Sequence, residues 1–137
     1  MTIHFTVPGP PFGKQRPQHT KYGHDYTPKE TRAYEEFAQK CFFAAAGSSF
    51  IPLQGALRIK IFAGYPIPKS ISKKRRAAML AGTELPTKKP DWDNIGKIIC
   101  DALNGVAYKD DAQISDSTMR KRYIDGPGLV EVWISNL

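Results

Sequence analysis

Six aspartates and two lysines fall between positions 91 and 116 of a chain that is strongly basic elsewhere. The informative run is Lys88-Lys89-Pro90-Asp91-Trp92-Asp93-Asn94-Ile95-Gly96-Lys97. It is followed by Asp101-Ala102-Leu103-Asn104-Gly105 and Lys109-Asp110-Asp111-Ala112-Gln113. Hard divalent cations such as Mg²⁺ take carboxylate and water oxygens, usually with few protein ligands. Carboxylates converging from Asp91, Asp93 and the Asp110–Asp111 pair would suffice for one ion. Such a metal lowers the pKa of bound water and stabilises charge on a phosphoryl oxygen. Lys97, set among the acids, suits stabilisation of a phosphorane or orientation of the attacking water. A plainer reading stands beside this one: Asp93 as a helix cap, Lys97 in helix-surface pairs with Asp93 and Asp101, and Asp110–Asp111 as a turn.

The elements that must carry these residues are legible from periodicity. Pro90 should keep Lys89 extended, and in an extended chain Asp91 and Asp93 point to one face. A helix from Asn94 to about Leu103, capped by Asp93, then buries Ile95, Ile98, Ile99 and Leu103 and aligns Asp93, Lys97 and Asp101 on its other side. Ile3 to Val7 and Ala56 to Phe62 alternate apolar with polar residues and read as half-buried strands. Thr27-Pro28 marks a helix start, with Thr27 as cap, and the helix runs to about Ala46. Its core stripe is Tyr34, Phe37, Ala38, Cys41, Phe42 and Ala45. Ser70 to Leu80 is a short helix with a very basic start, stopped by Gly82. Ile114–Tyr123 and Leu129–Ser135 read as strands joined in a hairpin through Asp125-Gly126-Pro127-Gly128. The order predicts an α+β domain over residues 1–137, with helices on one face of a small mixed sheet.

Charge distribution narrows the function. Net charge is +7, from 20 Lys and Arg against 13 Asp and Glu in 137 residues. The acidic stretch contradicts a simple DNA-binding module, which gains affinity by displacing counterions from phosphates and has no use for clustered carboxylates. A basic body around an acidic patch suits an enzyme that grips a polyanion and cuts it with a metal. Lys14, Arg16 and Lys21, in an irregular loop held by Gly13 and Pro17, are the first candidates to grip DNA. Lys73, Lys74, Arg75, Arg76, Lys88 and Lys89 are further candidates, with Lys73–Arg76 equally readable as a solvated helix start.

Other classes lose support. His4, His19 and His24 lack mutual ligand spacing, no Gly-rich phosphate loop points to a nucleotide cofactor, and Ser and Cys nucleophiles lack a recognisable base. Cys41 and Cys100 lie among apolar residues and read as buried free thiols, in keeping with a reducing cytoplasm. The longest uncharged run, Cys41–Leu57, is too short and polar to span a bilayer. Trp92 and Trp133 read as core or interface residues.

The 88–113 segment resembles the RusA family of Holliday junction resolvases. The similarity extends to Val7-Pro8-Gly9-Pro10-Pro11, Lys14-Gln15-Arg16-Pro17, Tyr26-Thr27-Pro28 and a basic strand downstream, and so covers nearly the whole chain. The resemblance implies a magnesium-dependent endonuclease, with Mn²⁺ as a possible substitute, acting as a homodimer that nicks a four-way DNA junction symmetrically. Asp91, Asp93 and Asp111 fall on the family's metal-binding acids and Lys97 on its catalytic lysine; Asp110 is the adjacent acid. Many relatives belong to phages and prophages. Two alternatives remain: a junction-binding protein without catalysis, and a nuclease of broader branched-DNA preference.

Overall fold

Alternating burial along three strands fixes the layer structure. In β1 (Thr2–Pro8) the residues Ile3, Phe5 and Val7 are buried and their neighbours exposed. The same period buries Leu57, Ile59, Ile61 and Ala63 in β4 (Leu57–Pro66) and Val130, Val132 and Ile134 in β6 (Leu129–Asn136). One sheet face is therefore apolar and must be covered. The computed structural model describes the backbone of all 137 residues and every side chain except those of Gln18, Asp25 and Tyr26. The last of these belongs to the Tyr26-Thr27-Pro28 motif and so lies outside the described side chains.

Two helices cover that face. Helix α1 (Lys29–Ala46) lies over β1 and against α3 (Trp92–Leu103). Helix α3 buries Ile95, Ile98, Ile99, Ala102 and Leu103, a continuous apolar stripe at helical spacing. Phe42 of α1 is fully buried and meets Phe5 and Phe50 edge to face, with ring centroids 5.6 and 5.2 Å apart. Helix α2 (Lys73–Ala81) is separate, short and packed on β5 (Ile114–Ile124). Its Ser72 cap accepts from the Arg75 N–H, and Gly82 closes it in the left-handed conformation. The result is a mixed α+β fold with a four-stranded sheet and three α-helices.

Four expectations need correction. The strands on either side of Asp125–Gly128 do not pair with each other. The sheet order is β1-β6-β4-β5, with β4 antiparallel to β6 and parallel to β5. The turn residues instead carry the chain across the end of β4, where Gly128 approaches the Gly64 carbonyl and Pro66. The cap of α1 is Pro28, not Thr27, and it makes no side-chain cap bond. Its buried face is Thr31, Ala38 and Phe42, whereas Phe37 and Ala45 are exposed. The Thr31 hydroxyl explains its own burial by donating to Gln15 Oε1 at 2.8 Å, which ties the helix to the preceding loop. Within that loop the backbone also forms a small ladder between β2 (Gln18–His19) and β3 (Asp25–Tyr26), which periodicity did not suggest. The fourth correction, the start of α3, bears on the site itself.

Candidate active site

Helix α3 begins at Trp92, two residues earlier than spacing predicts, with Asp91 as its cap residue. Asp91 has extended backbone (ψ 153°), yet its carboxylate makes no cap hydrogen bond. A capping Asp normally satisfies an orphan N–H and contributes about 1 kcal/mol. Here that carboxylate is left for another use. Because Asp93 is already helical, Asp91 and Asp93 do not share one face of an extended strand as expected.

The segment entering the helix is fastened from the sheet. The buried Tyr65 hydroxyl donates to the Pro90 carbonyl at 2.6 Å, and Lys121 Nζ donates to the Lys88 carbonyl at 2.9 Å. Lys121 also lies 5.0 Å from the Tyr65 ring centroid, and Lys88 lies 5.7 Å from that of Tyr123. Burial first, then the nearby Asp91 carboxylate, pushes the Tyr65 phenol up to about 12, so it remains a donor. Tyr65 and Lys121 escaped the sequence reading because neither lies near Asp91 in the chain. The only available signal was the basic run Arg120-Lys121-Arg122 inside a strand.

A groove of about 380 Å³ runs between α3 and β5. Trp92, Asp93, Gly96, Lys97 and Cys100 line it from the helix, and Ser117 and Met119 from the strand. Asp111 enters from the single 3₁₀ turn Asp111–Gln113 that precedes β5. The groove lies where residues 93, 96, 97 and 100 of α3, a helix packed on α1, face the inner side of β5, with Ile59 and Ile61 of β4 also in its lining. Trp92 is 64% exposed at the groove wall, so it is not a core residue.

The 3₁₀ turn explains how Asp111 is aimed. Asp110 caps the turn, its Oδ1 accepting from the Ala112 N–H at 2.9 Å, while Gln113 Oε1 accepts from the Asp110 N–H at 3.2 Å. Asn104 Oδ1 accepts from the Asp111 N–H at 2.9 Å and joins the turn to the end of α3. Asp110 is thus employed in local structure, and Asp111 is the acid presented to the groove. Partial burial, then contact with Asp110 and the nearby Asp101 carboxylate, holds the Asp111 carboxyl above its ordinary range, with Asn104 opposing. Burial also pushes the Cys100 thiol up to about 11, so it stays protonated beside the acids.

The structure therefore brings Asp93, Lys97 and Asp111 to one groove and leaves Asp91 out of its lining. Among the described residues, no three His, Cys, Asp or Glu side chains assemble into a set that would hold a metal unaided. Two carboxylates opening on a shared groove still fit Mg²⁺, which is commonly bound by one or two carboxylates, waters and substrate phosphates. The expected helix-face pairing of Lys97 with Asp93 and Asp101 is absent among the described residues, so its ammonium is open to a ligand.

Asp101 instead pairs with Lys14, one of the residues expected to grip DNA. Lys14 Nζ lies 3.1 Å from Glu35 and 3.2 Å from Asp101, with 18% of its side chain exposed. Burial lowers its pKa, but the two carboxylates outweigh burial and the net shift is upward. Its backbone N–H donates to the Asn94 carbonyl at 2.9 Å, seating the loop on α3. Lys14→Gln is expected to lower unfolding free energy by about 1 kcal/mol in urea titrations while leaving the salt dependence of DNA binding unchanged. A reduced salt slope would return Lys14 to the DNA surface.

The remaining basic candidates divide. Arg75 pairs with Glu84 and Arg76 with Asp125 on the surface. Arg16, Lys73, Lys74 and Lys89 are exposed, and Lys21 lies over the Tyr22 ring.

Comparison with known proteins now decides the family. The endodeoxyribonuclease RusA family profile matches residues 8–135, which includes every groove residue. This chain belongs to the RusA family. RusA is an endodeoxyribonuclease family, and the match runs from the last residue of β1 through most of β6. The chain is also 34% identical over 137 positions to the uncharacterized protein YqaN of Bacillus subtilis strain 168, covering 96% of this chain and 94% of that protein. No helix of the described residues is long and apolar enough to cross a membrane.

Proposed function

We propose that this RusA-family chain is a magnesium-dependent endonuclease that resolves four-way DNA junctions by paired symmetric nicks, acting as a cytoplasmic homodimer. The observation that carries the reading is the meeting of Asp93, Lys97 and Asp111, from two separate segments, on one groove in an otherwise basic chain. Asp93 and Asp111 are the oxygen donors of the groove. Asp91, its carboxylate free of capping duty, is the third donor, offered from the helix entrance. Bound Mg²⁺ would supply an acidified water and charge stabilisation at the phosphoryl oxygen. Lys97, one helical turn from Asp93, places a positive charge against the scissile phosphate as negative charge develops there. Two copies are required because symmetric nicking needs two sites on one junction.

The test is a nicking assay on a synthetic four-way junction, with linear duplex, flap and fork substrates alongside, in Mg²⁺, Mn²⁺ and EDTA. Paired nicks in the junction that vanish in EDTA and with Asp93→Asn are expected. Equal cutting of flaps or forks would replace junction resolution with a broader branched-DNA nuclease. Tight binding with no nicks in either metal would make the chain a binding protein of the same fold.

A further inference from the structure

Arg58, Arg75 and Arg76 each have a carboxylate within 4 Å. Arg120 and Arg122 form no ion pair among the described residues, although they alternate along one strand with Lys121 between them. Together the three line a recess of about 430 Å³ where β5 meets the end of α2, with Ala81, Gly82 and Leu85 as the other wall. The Arg122 guanidinium lies directly on Gly82, in the space that a side chain at position 82 would fill. The two guanidinium groups repel one another, and no acid among the described residues pairs with Arg120 or Arg122. A recess of this kind is complementary to an anion carried by something else.

We propose that Arg120 and Arg122 form a phosphate-binding subsite for the DNA strand that enters the groove. The inference rests on the reading of this chain as a DNA-binding nuclease, and it adds the path of the substrate. Strand β5 supplies both sites: Ser117 and Met119 to the groove, and Arg120–Arg122 to the recess. The two sets are about three residues apart, about 10 Å along the strand axis, with Ser117 and Met119 on the face of Ile59 and Ile61 and Arg120 and Arg122 on the opposite face of this edge strand. One DNA strand carries a phosphate per roughly 3.4 Å of helix rise, so a strand that leaves the groove and passes over the edge of β5 presents the recess with a phosphate at least about three nucleotides from the one being cut.

The experiment measures anisotropy of a labelled four-way junction in EDTA, from 50 to 300 mM salt, for the native chain, Arg120→Gln and Arg122→Gln. Arg58→Gln, whose native partner is Asp116, is the control. Each recess variant should weaken binding about fivefold near 0.15 M salt and reduce the log–log salt slope by about 0.9, whereas Arg58→Gln should leave the slope alone. Single methylphosphonates, scanned along the cut strand, should weaken the native chain at one position about three or more nucleotides from the nick and have no further effect there on Arg122→Gln. Native slopes in both recess variants, or the same loss in Arg58→Gln, would overturn the proposal. Thermal midpoints, and Arg122→Lys as a charge-keeping variant, separate lost contact from lost fold. Native nicking with unchanged Arg variants sinks the subsite alone. Slope losses in a chain that never nicks sink the nuclease reading and leave the subsite standing.

Discussion

Asp111→Asn should slow junction nicking by about a thousandfold, equivalent to about 4 kcal/mol of lost charge stabilisation at the phosphate. The same change should slightly stabilise the metal-free fold. Folding raises the Asp111 pKa above its unfolded value of 3.8, chiefly through burial and then through Asp110 and Asp101. Between the unfolded and folded values the native state binds more protons, so stability falls as pH rises through that window. The full penalty is present above it and absent below pH ~3.8. In EDTA at pH 7, Asp111→Asn should therefore melt about 1–2 °C higher than the native chain, from about 0.5 kcal/mol of relieved repulsion at this partly exposed site. The two should melt alike at pH 3. Added Mg²⁺ should raise the native midpoint and not that of the variant. Undiminished nicking by the variant would remove Asp111 from the reaction.

The largest stability effect is expected at Gly128. Its φ is +93°, and an added Cβ would lie 3.0 Å from the Gly64 carbonyl oxygen, 3.0 Å from Pro10 Cα and 3.1 Å from Pro66 Cδ. Gly126 has a similar φ of +95° with nothing within 4 Å of the same atom. Gly126→Ala should cost only the backbone penalty, about 1–2 kcal/mol. Gly128→Ala adds crowding against rigid backbone and should cost about 3 kcal/mol or more in all. Urea unfolding of the two variants side by side isolates the steric part. Equal losses would show that the chain crosses the end of β4 with room to spare.

Much of this architecture follows from local pattern, and the errors share one cause. Two-residue alternation located β1 and β4 because one sheet face is covered and the other is not. The stripe of α3 was legible because its apolar face is wholly buried. In helix α1 the expected Tyr34, Ala38, Cys41 and Phe42 do pack on the core, whereas Phe37 and Ala45, at equally regular spacing, stay exposed. Only contact with Gln15 and β1 selects Thr31, Ala38 and Phe42. Turn chemistry located Asp125–Gly128 but carries no information about whether the flanking strands are neighbours or lie one strand apart. At the groove, residue type and spacing pointed to Asp93, Lys97 and the Asp110–Asp111 pair, and the choice of Asp111 came only from the family resemblance. The ion pairs of Lys14 were not legible because Glu35 and Asp101 are 21 and 87 positions away. The start of α3 was misplaced because Asp91 and Asp93 are both good cap residues and local preference cannot choose between them.

The sheet order also governs when an active molecule can first exist. Strand β6 joins β1 to β4, yet it is made after every residue that lines the groove. Until β6 has been synthesised and inserted, β1 with α1 has no hydrogen-bonded link to β4 and β5, and the support beneath α3 is incomplete. Pairings of such long sequence separation form slowly, on the millisecond-to-second scale typical of non-local sheets. A nascent chain on the ribosome would thus hold its acids and lysine without the frame that aligns them, and DNA nearby would be spared until synthesis of the sheet is complete.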